Sequence, residues 1–102
     1  MEQLIHRPSP REGAAFVTLD ERVYLYGGMG LTLDGNLYEL TMKDLMWKTV
    51  IGKNGLNGRF GHTIIPYRGV LVVFGGCERN MNRIKKYLND TILINPVEPS
   101  IR

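Results

Sequence analysis

The sequence has little of several features that would fix its class at once. It contains one cysteine, Cys77, so no disulfide can form within the chain. It has no apolar run of about 18 residues, so we expect no membrane-spanning helix and no membrane partner. Its first residues lack the apolar stretch of a secretion signal, which favours a cytoplasmic location.

The sequence also has only a small excess of charge of one sign. The net charge is +3 and the sequence pI is near 9.2, which is only mildly basic. Nucleic-acid-binding domains carry dense patches or stripes of lysine and arginine. The one basic segment here, ERNMNRIKKY at 78–87, is also typical of a solvated polar loop. We therefore do not expect a nucleic-acid partner.

The sequence has few motifs or groups of side chains that are typical of catalytic, cofactor-binding or metal-binding sites. The glycines at 27–30 lack the third glycine and following helix of a dinucleotide site, and they lack the Gly-Lys-Ser/Thr ending of a P-loop. The spacing of His6, His62 and Cys77 fits no zinc site. His62 and Cys77 suggest a base and a nucleophile. However, His62 occupies a repeat position and Cys77 simply follows Gly76, so we interpret His62 as satisfying a backbone group and Cys77 as inert. We predict no enzyme activity and no cofactor.

What the sequence does contain is an internal repeat, which is sought before other patterns because it decides the architecture. VYLYGG at 23–28 returns as LVVFGG at 71–76, an offset of 48 residues. An Arg-x-Gly precedes each copy at the same offset. Each unit therefore consists of Arg-x-Gly, an apolar strand, a tight turn, a second apolar strand and Gly-Gly. After the glycine pair the copies diverge, and the second loop, at 77–89, is longer.

The apolar periodicity predicts short strands and no ordinary helix. The first unit has predicted strands at 14–18, 22–26, 37–41 and 46–50. The second has them at 62–66, 70–74 and 90–94, with the fourth strand almost wholly missing. A single helical turn at 84–88 is allowed within the long loop. The run at 70–74 is continuously apolar, which predicts burial on both faces of its sheet.

Four-stranded units with a period of about 40–50 residues are typical of β-propeller blades. This pattern resembles the kelch repeat. In the first copy the resemblance rests on Arg11, Gly13, VYLYGG, NLYEL and Trp47; in the second it rests on RFGHT at 59–63, LVVFGG and Asn89-Asp90. It covers nearly the whole chain. Ala14 departs from the histidine that the family usually has there, whereas His62 keeps it.

The resemblance implies an all-β fold class: kelch-type β-propeller blades of four antiparallel strands, with about one and three-quarters blades of an incomplete propeller. Residues 1–10 form an N-terminal segment that is a candidate for the end of a preceding outer strand. Residues 11–52 form the first blade, and residues 53–102 form the second blade, which lacks most of its outer strand. The resemblance also implies structural roles for Arg11, Gly13, Gly27, Gly28, Trp47, Arg59, Gly61, His62, Gly75 and Gly76.

Kelch propellers are mostly non-catalytic platforms that bind proteins through loops. The resemblance therefore implies a protein–protein interaction module that is part of a larger propeller or of an oligomer. The alternative is the kelch portion of a larger multidomain protein, such as a ubiquitin-ligase adaptor or a kelch-bearing phosphatase. In either case a propeller of about four to eight blades needs more strands than this chain holds, so we expect self-association or docking with other kelch blades. Residues 3–5 would then help to complete the last blade of another chain.

The long loop carries the candidate partner-binding residues Arg79, Arg83, Lys85, Lys86 and Tyr87. Cationic groups beside an aromatic ring suit an acidic or phosphate-bearing protein partner. Loops of this length are either functional or disordered, so a disordered surface loop is the competing interpretation. Binding of an anionic polymer also stays open, with a steep dependence on salt as its mark.

Overall fold

The computed structural model describes residues 8–9, 11–30, 33–52, 55–79, 84–97 and 100–101. Within these ranges every regular element is a β-strand, so none of them contains a helix that could cross a membrane. All strand pairs are antiparallel, which confirms the all-β prediction. The strands are β1 (Ala15–Leu19), β2 (Arg22–Tyr26), β3 (Leu37–Thr41), β4 (Met46–Ile51), β5 (Thr63–Tyr67), β6 (Val70–Phe74), β7 (Cys77–Arg79), β8 (Lys85–Tyr87), β9 (Thr91–Asn95) and β10 (Ser100–Ile101).

The first sheet has the strand order β1-β2-β3-β4. Its first hairpin turns at Asp20 and Glu21, whose φ angles are 51° and 62°. Two successive positive φ values are those of a type I′ turn, which matches the twist of the flanking strands. The predicted strands of this unit agree with the observed ones to within one residue at each end.

The second sheet repeats this arrangement with the order β5-β6-β9-β10. Its predicted strands are also correct to within one residue. The fourth strand is reduced to two residues, with Ser100 opposite Asn95 and Ile101 opposite Ile94. This short strand is what the described part of the chain has in place of β4.

The long loop after β6 contains a third sheet of two strands, β7 and β8. The helical turn predicted at 84–88 is wrong, because Lys85–Tyr87 is a strand that pairs with β7. A single helical turn orders several residues for one hydrogen bond and is unfavourable alone. In contrast, β7 is already held extended by Phe60, whose amide and carbonyl both bond to Cys77 at 2.9 Å. The segment that returns along β7 therefore pairs with it.

The two four-stranded sheets pack face to face around one apolar core. Side chains alternate between the faces of a strand, so each sheet contributes one face. The core residues are Tyr24, Tyr26, Leu37 and Ile51 from the first sheet and Ile64, Leu71, Val73 and Ile94 from the second.

The apolar strand β6 is buried on one face only. Leu71 and Val73 are fully buried, whereas Phe74 is 53% exposed. The prediction that both faces of this sheet are buried is therefore wrong. The first sheet covers one face, and no third four-stranded sheet among the described residues covers the other. The uncovered face of this sheet is therefore apolar, as buried faces are, although it is exposed.

Candidate functional site

A buried arginine lies at one end of the second sheet and binds two of its strands there. Arg59 is 0% exposed, and its Nη1 donates to the Gly75 carbonyl at 3.0 Å. Nη1 and Nη2 also donate to the two carboxylate oxygens of Asp90, at 2.7 and 2.9 Å. A two-point contact between a planar guanidinium and a carboxylate is strong and directional. It lowers the pKa of Asp90 and raises the pKa of Arg59. Arg59 therefore ties the segment before β5 to the end of β6 and to the start of β9.

Arg11 makes equivalent contacts in the first sheet. Its Nη1 lies 2.9 Å from the Gly27 carbonyl oxygen and 2.8 Å from Oδ2 of Asp34. In both units the arginine binds the carbonyl of the first glycine of the pair and an aspartate that precedes the third strand. We call this set of contacts the arginine clamp.

The aspartates of the arginine clamp were missed by the sequence reasoning. Asp90 was singled out only with Asn89 for the kelch resemblance, and Asp34 belongs to an Asp-Gly pair, which is typical of a turn. Asp34 does support a turn, since its Oδ1 accepts the Asn36 amide at 2.7 Å, but its Oδ2 holds Arg11. The available signal was an aspartate within a few residues of the third strand in each unit.

The glycine pairs lie where the neighbouring sheet comes closest. Gly27 has a φ of 82°, and a Cβ there would stand 2.4 Å from Cε1 of His62 and 2.5 Å from the Arg59 carbonyl oxygen. The next amide, that of Gly28, donates to the same Arg59 carbonyl at 2.7 Å. Glycine is the residue that combines a positive φ with so close an approach of another backbone. The first pair thus forms part of the contact between the two sheets.

His62 completes this contact from the second sheet. It is buried, its Nε2 lies 2.8 Å from the Tyr26 carbonyl oxygen, and its ring meets the Tyr26 ring edge-on at 4.8 Å. The Tyr26 hydroxyl in turn donates to the Asn57 carbonyl. Burial lowers the pKa of His62, which favours the neutral ring. Because a carbonyl oxygen can only accept, Nε2 carries the proton in this contact. This is the backbone contact that the sequence assigned to His62.

Glu39 is a buried carboxylate on the core-facing side of the first sheet. It accepts a hydrogen bond from the Tyr24 hydroxyl at 2.9 Å, and Arg22 and Lys48 lie at 3.8 and 3.6 Å. Burial, together with this carboxylate, raises the pKa of Tyr24 to about 12. The sequence reasoning gave Glu39 no role. The buried carboxylate thus has one hydrogen-bond donor and two nearby cations from its own sheet.

The predicted partner-binding residues lie on the hairpin β7–β8, except Arg83, which is outside the described residues. Lys85, Lys86 and Tyr87 are exposed, and Tyr87 is 78% exposed. Arg79 is partly buried, with its guanidinium carbon 5.6 Å from the centre of the Phe60 ring. We call the end of both sheets that carries this hairpin, the glycine pairs and the arginine clamps the glycine edge.

An open cleft of about 450 Å³ lies at the glycine edge, between the hairpin and the loop that follows β2. The ion pair between Lys86 and the Glu78 carboxylate is long, at 4.0 Å, and an exposed ion pair of this kind contributes little to stability. The cleft therefore offers cationic and apolar contacts side by side. It is lined by Leu33, Gly58, Glu78, Arg79, Ile84 and Lys86.

The other candidate residues have structural surroundings. Cys77 is a free, partly buried cysteine whose backbone pairs with Phe60. Trp47 is partly buried on β4, opposite Leu40. Among the described residues, no three His, Cys, Asp or Glu side chains are grouped to hold a metal ion.

No protein-family model matches the chain, but the chain is similar to parts of known proteins. In an alignment of 98 positions that covers 86% of the chain, it is 37% identical to the dynein alpha chain of the flagellar outer arm of Chlamydomonas reinhardtii. The chain spans 2% of the length of that protein. The solved structure of YjhT matches 97% of the chain with a TM-score of 0.75 and 27% identity, and the chain spans 28% of the YjhT chain. The chain is therefore similar to a small part of each of these longer proteins.

Proposed function

We propose that the two four-stranded sheets are consecutive blades of a kelch-type β-propeller and that they serve as a non-catalytic protein–protein interaction module. The observation that carries this proposal is the repeated arginine clamp. Arg11 and Arg59 each join the first glycine of a pair to an aspartate before the third strand. Two units with the same internal contacts, stacked face to face, are what a propeller requires. The similarity to YjhT supports the same arrangement.

The glycine edge is the binding surface of this module. Lys85 and Lys86 point their charges into solvent, where they attract a carboxylate-rich partner from a distance. Tyr87 adds a large apolar area at a small entropic cost, because its side chain has only two torsions. The arginine clamp fixes the loops around these groups, which reduces the ordering cost of binding. The partner that fits is an extended acidic segment of another protein.

A non-catalytic role agrees with the surroundings of the two reactive side chains. The Nε2 proton of His62 is directed at a backbone carbonyl within the contact between the sheets. Cys77 lies in a strand whose backbone pairs with Phe60. These contacts support a structural interpretation of both residues.

Binding of a fluorescein-labelled acidic peptide, composed of Glu and Asp with one Tyr, tests the proposal by fluorescence anisotropy. We expect saturable binding that Lys85→Glu/Lys86→Glu weakens by about tenfold or more, since attraction is replaced by repulsion at two contacts. The matched control is Lys43→Glu/Arg68→Glu. It changes the net charge by the same amount, in turns at the end of the strands opposite to the glycine edge. The control is expected to bind normally. Equal weakening by both variants, with a steep loss of affinity in salt, would instead indicate nonspecific polyanion binding.

The match to the dynein alpha chain favours a second candidate, in which the blade pair is one portion of a larger multidomain protein. The chain resembles a segment that makes up 2% of that long polypeptide. A ubiquitin-ligase adaptor or a kelch-bearing phosphatase is the same kind of setting. An antibody against this segment, used on an extract of the source cells, distinguishes the two candidates. A band far above the 11.6 kDa of this chain supports the second candidate, and a band at that mass rejects it.

A further inference from the structure

We propose that this chain binds a second copy of itself head to tail, through the two sheet faces that its own core leaves uncovered. This proposal goes beyond peptide binding at the glycine edge, and it rests on the observed stacking of the two sheets. Its two surfaces lie at opposite ends of the stack.

The first-sheet outer face is the side of the first sheet that is turned away from the core. Strand register places Phe16 opposite Leu25, and places Val23, Leu40 and Trp47 in one row across three strands. Phe16 is 68% exposed. The other named members, Val23, Leu25, Leu40 and Trp47, are half-buried, so the described residues cover this apolar face only in part.

The second-sheet outer face lies at the other end of the stack. Its apolar members are Ile65, Tyr67, Val72, Phe74 and Leu93, which the register of β5, β6 and β9 places on one side of the sheet. Ile65, Tyr67 and Phe74 are each about half exposed. A contiguous exposed apolar patch on a sheet usually marks an interaction site.

The repeat shows which surface fits which. At the offset of 48 residues, exposed Phe16 corresponds to Ile64, which is buried against the first sheet. At the same offset, buried Tyr26 corresponds to the exposed Phe74. The first-sheet outer face is thus equivalent to the core face of the second sheet, and the second-sheet outer face is equivalent to the core face of the first. The two uncovered faces are the two halves of the joint that the chain already makes once internally.

The polar contacts of the internal joint have equivalents at the uncovered ends. Within the chain, the Gly28 amide donates to the Arg59 carbonyl and the Gly61 amide donates to the Gly13 carbonyl, at 2.7 and 2.8 Å. Between copies, the same geometry would pair the Gly76 amide with the Arg11 carbonyl of the next chain.

Gly75 supports this assignment, because the space beside it is open. A Cβ at Gly27 would collide with His62 and Arg59 of the second sheet, whereas a Cβ at Gly75 would meet only the Leu88 carbonyl oxygen, at 3.3 Å. The space that a stacked sheet fills beside Gly27 is therefore available beside Gly75. Ala14 stands where the internal joint has His62, so the joint between copies lacks that hydrogen bond and is weaker than the internal one.

Both halves of this joint belong to one chain and are related head to tail, so a second copy carries the complementary surface for each face. Such a heterologous contact does not use the same patch on both partners, so it extends into a ring or an open filament. It also predicts a result that no symmetric dimer gives. Blocking either face stops self-association, yet two differently blocked chains still bind each other.

Light scattering on Phe16→Asp and Phe74→Asp tests this directly. We expect the mass of the unsubstituted chain to rise with concentration and each variant to remain a monomer. An equimolar mixture of the two variants is expected to reach twice the monomer mass and no more. Met42→Asp, in the exposed β3–β4 turn, is the control and is expected to associate like the unsubstituted chain.

Circular dichroism verifies that each variant is folded, and Tyr67→Asp replaces Phe74→Asp if that variant is not. An unsubstituted chain that stays monomeric overturns the proposal and assigns the faces to another protein or to further sheets of a longer polypeptide. Association that survives in Phe16→Asp alone, or a mixture that stays monomeric, also overturns it, since either result means that the contact is not head to tail. Lys85→Glu/Lys86→Glu is expected to self-associate normally, which separates this proposal from peptide binding.

Discussion

Replacing Arg59 by alanine is expected to destabilise the chain by about 3 kcal/mol, measured as a lower urea midpoint. The guanidinium is fully buried and bonds to Asp90 and to the Gly75 carbonyl. Removing the guanidinium leaves a void and leaves the buried Gly75 carbonyl without this hydrogen-bond donor. The Asp90 side chain is 44% exposed, so water can solvate it again, and this places the loss at the lower end of the range for broken buried pairs. Since small domains are stabilised by about 5–15 kcal/mol, a loss of this size is a large part of the total.

Two further substitutions make the Arg59 result interpretable. Arg59→Lys keeps a charge and an apolar stem but cannot bond at two points, so we expect a smaller loss than with alanine. Lys85→Ala removes an exposed cation and is expected to change stability by about 0.5 kcal/mol or less. If Arg59→Ala cost no more than Lys85→Ala, the arginine clamp would not hold the sheet together.

Gly27→Ala is expected to cost about 3 kcal/mol, from two causes that can be separated. The φ of 82° disfavours any residue with a Cβ. In addition, the new methyl group would lie 2.5 Å from the Arg59 carbonyl oxygen, a backbone atom that can move only with the second sheet. The overlap therefore pushes the two sheets apart. Thermal and urea unfolding of the variant measure the sum of both effects.

Gly69→Ala isolates the first cause. Gly69 has a φ of 79°, and a Cβ added there would meet nothing within 4 Å, so the variant carries the backbone cost alone. We expect a loss of about 1 kcal/mol there. Equal losses at Gly27 and Gly69 would contradict the close approach of the two sheets at the glycine pair.

The strands were predictable because local sequence determines them. Each apolar run is bounded by a short polar turn, and the turn at Asp20 and Glu21 fixes the register of its hairpin. The glycines of the repeated Arg-x-Gly and Gly-Gly carried the same kind of signal, since each has a positive φ, which is a requirement of the local backbone. These features depend on neighbours along the chain, which the sequence displays directly.

The partners of these residues were not predictable, because they depend on how loops of unequal length fold back. Arg59 reaches Asp90 across 31 residues, whereas Arg11 reaches Asp34 across fewer, so a fixed offset cannot pair the two aspartates. The hairpin β7–β8 depends on Phe60, which holds β7 from a distant part of the sequence. Likewise, the apolar composition of β6 predicted burial on both faces. Which face is covered depends on how the two sheets stack, and the sequence of one strand does not show this.

The two sheets stack so that His62 of the second is buried against Tyr26 of the first, and the face-to-face arrangement of the sheets depends on this contact. Titration of the His62 ring by NMR measures it, with His6→Gln used to assign the two histidine signals. We predict a pKa below the ordinary value of about 6.5, because burial disfavours the charged ring.

The unfolded chain then binds more protons than the folded one between the lowered pKa and about 6.5, so stability is lost as the pH falls through this window. Replacing His62 by glutamine is expected to remove that part of the loss. A His62 ring that titrates at its ordinary value would mean that it is exposed to water, and the face-to-face stacking described here would be wrong.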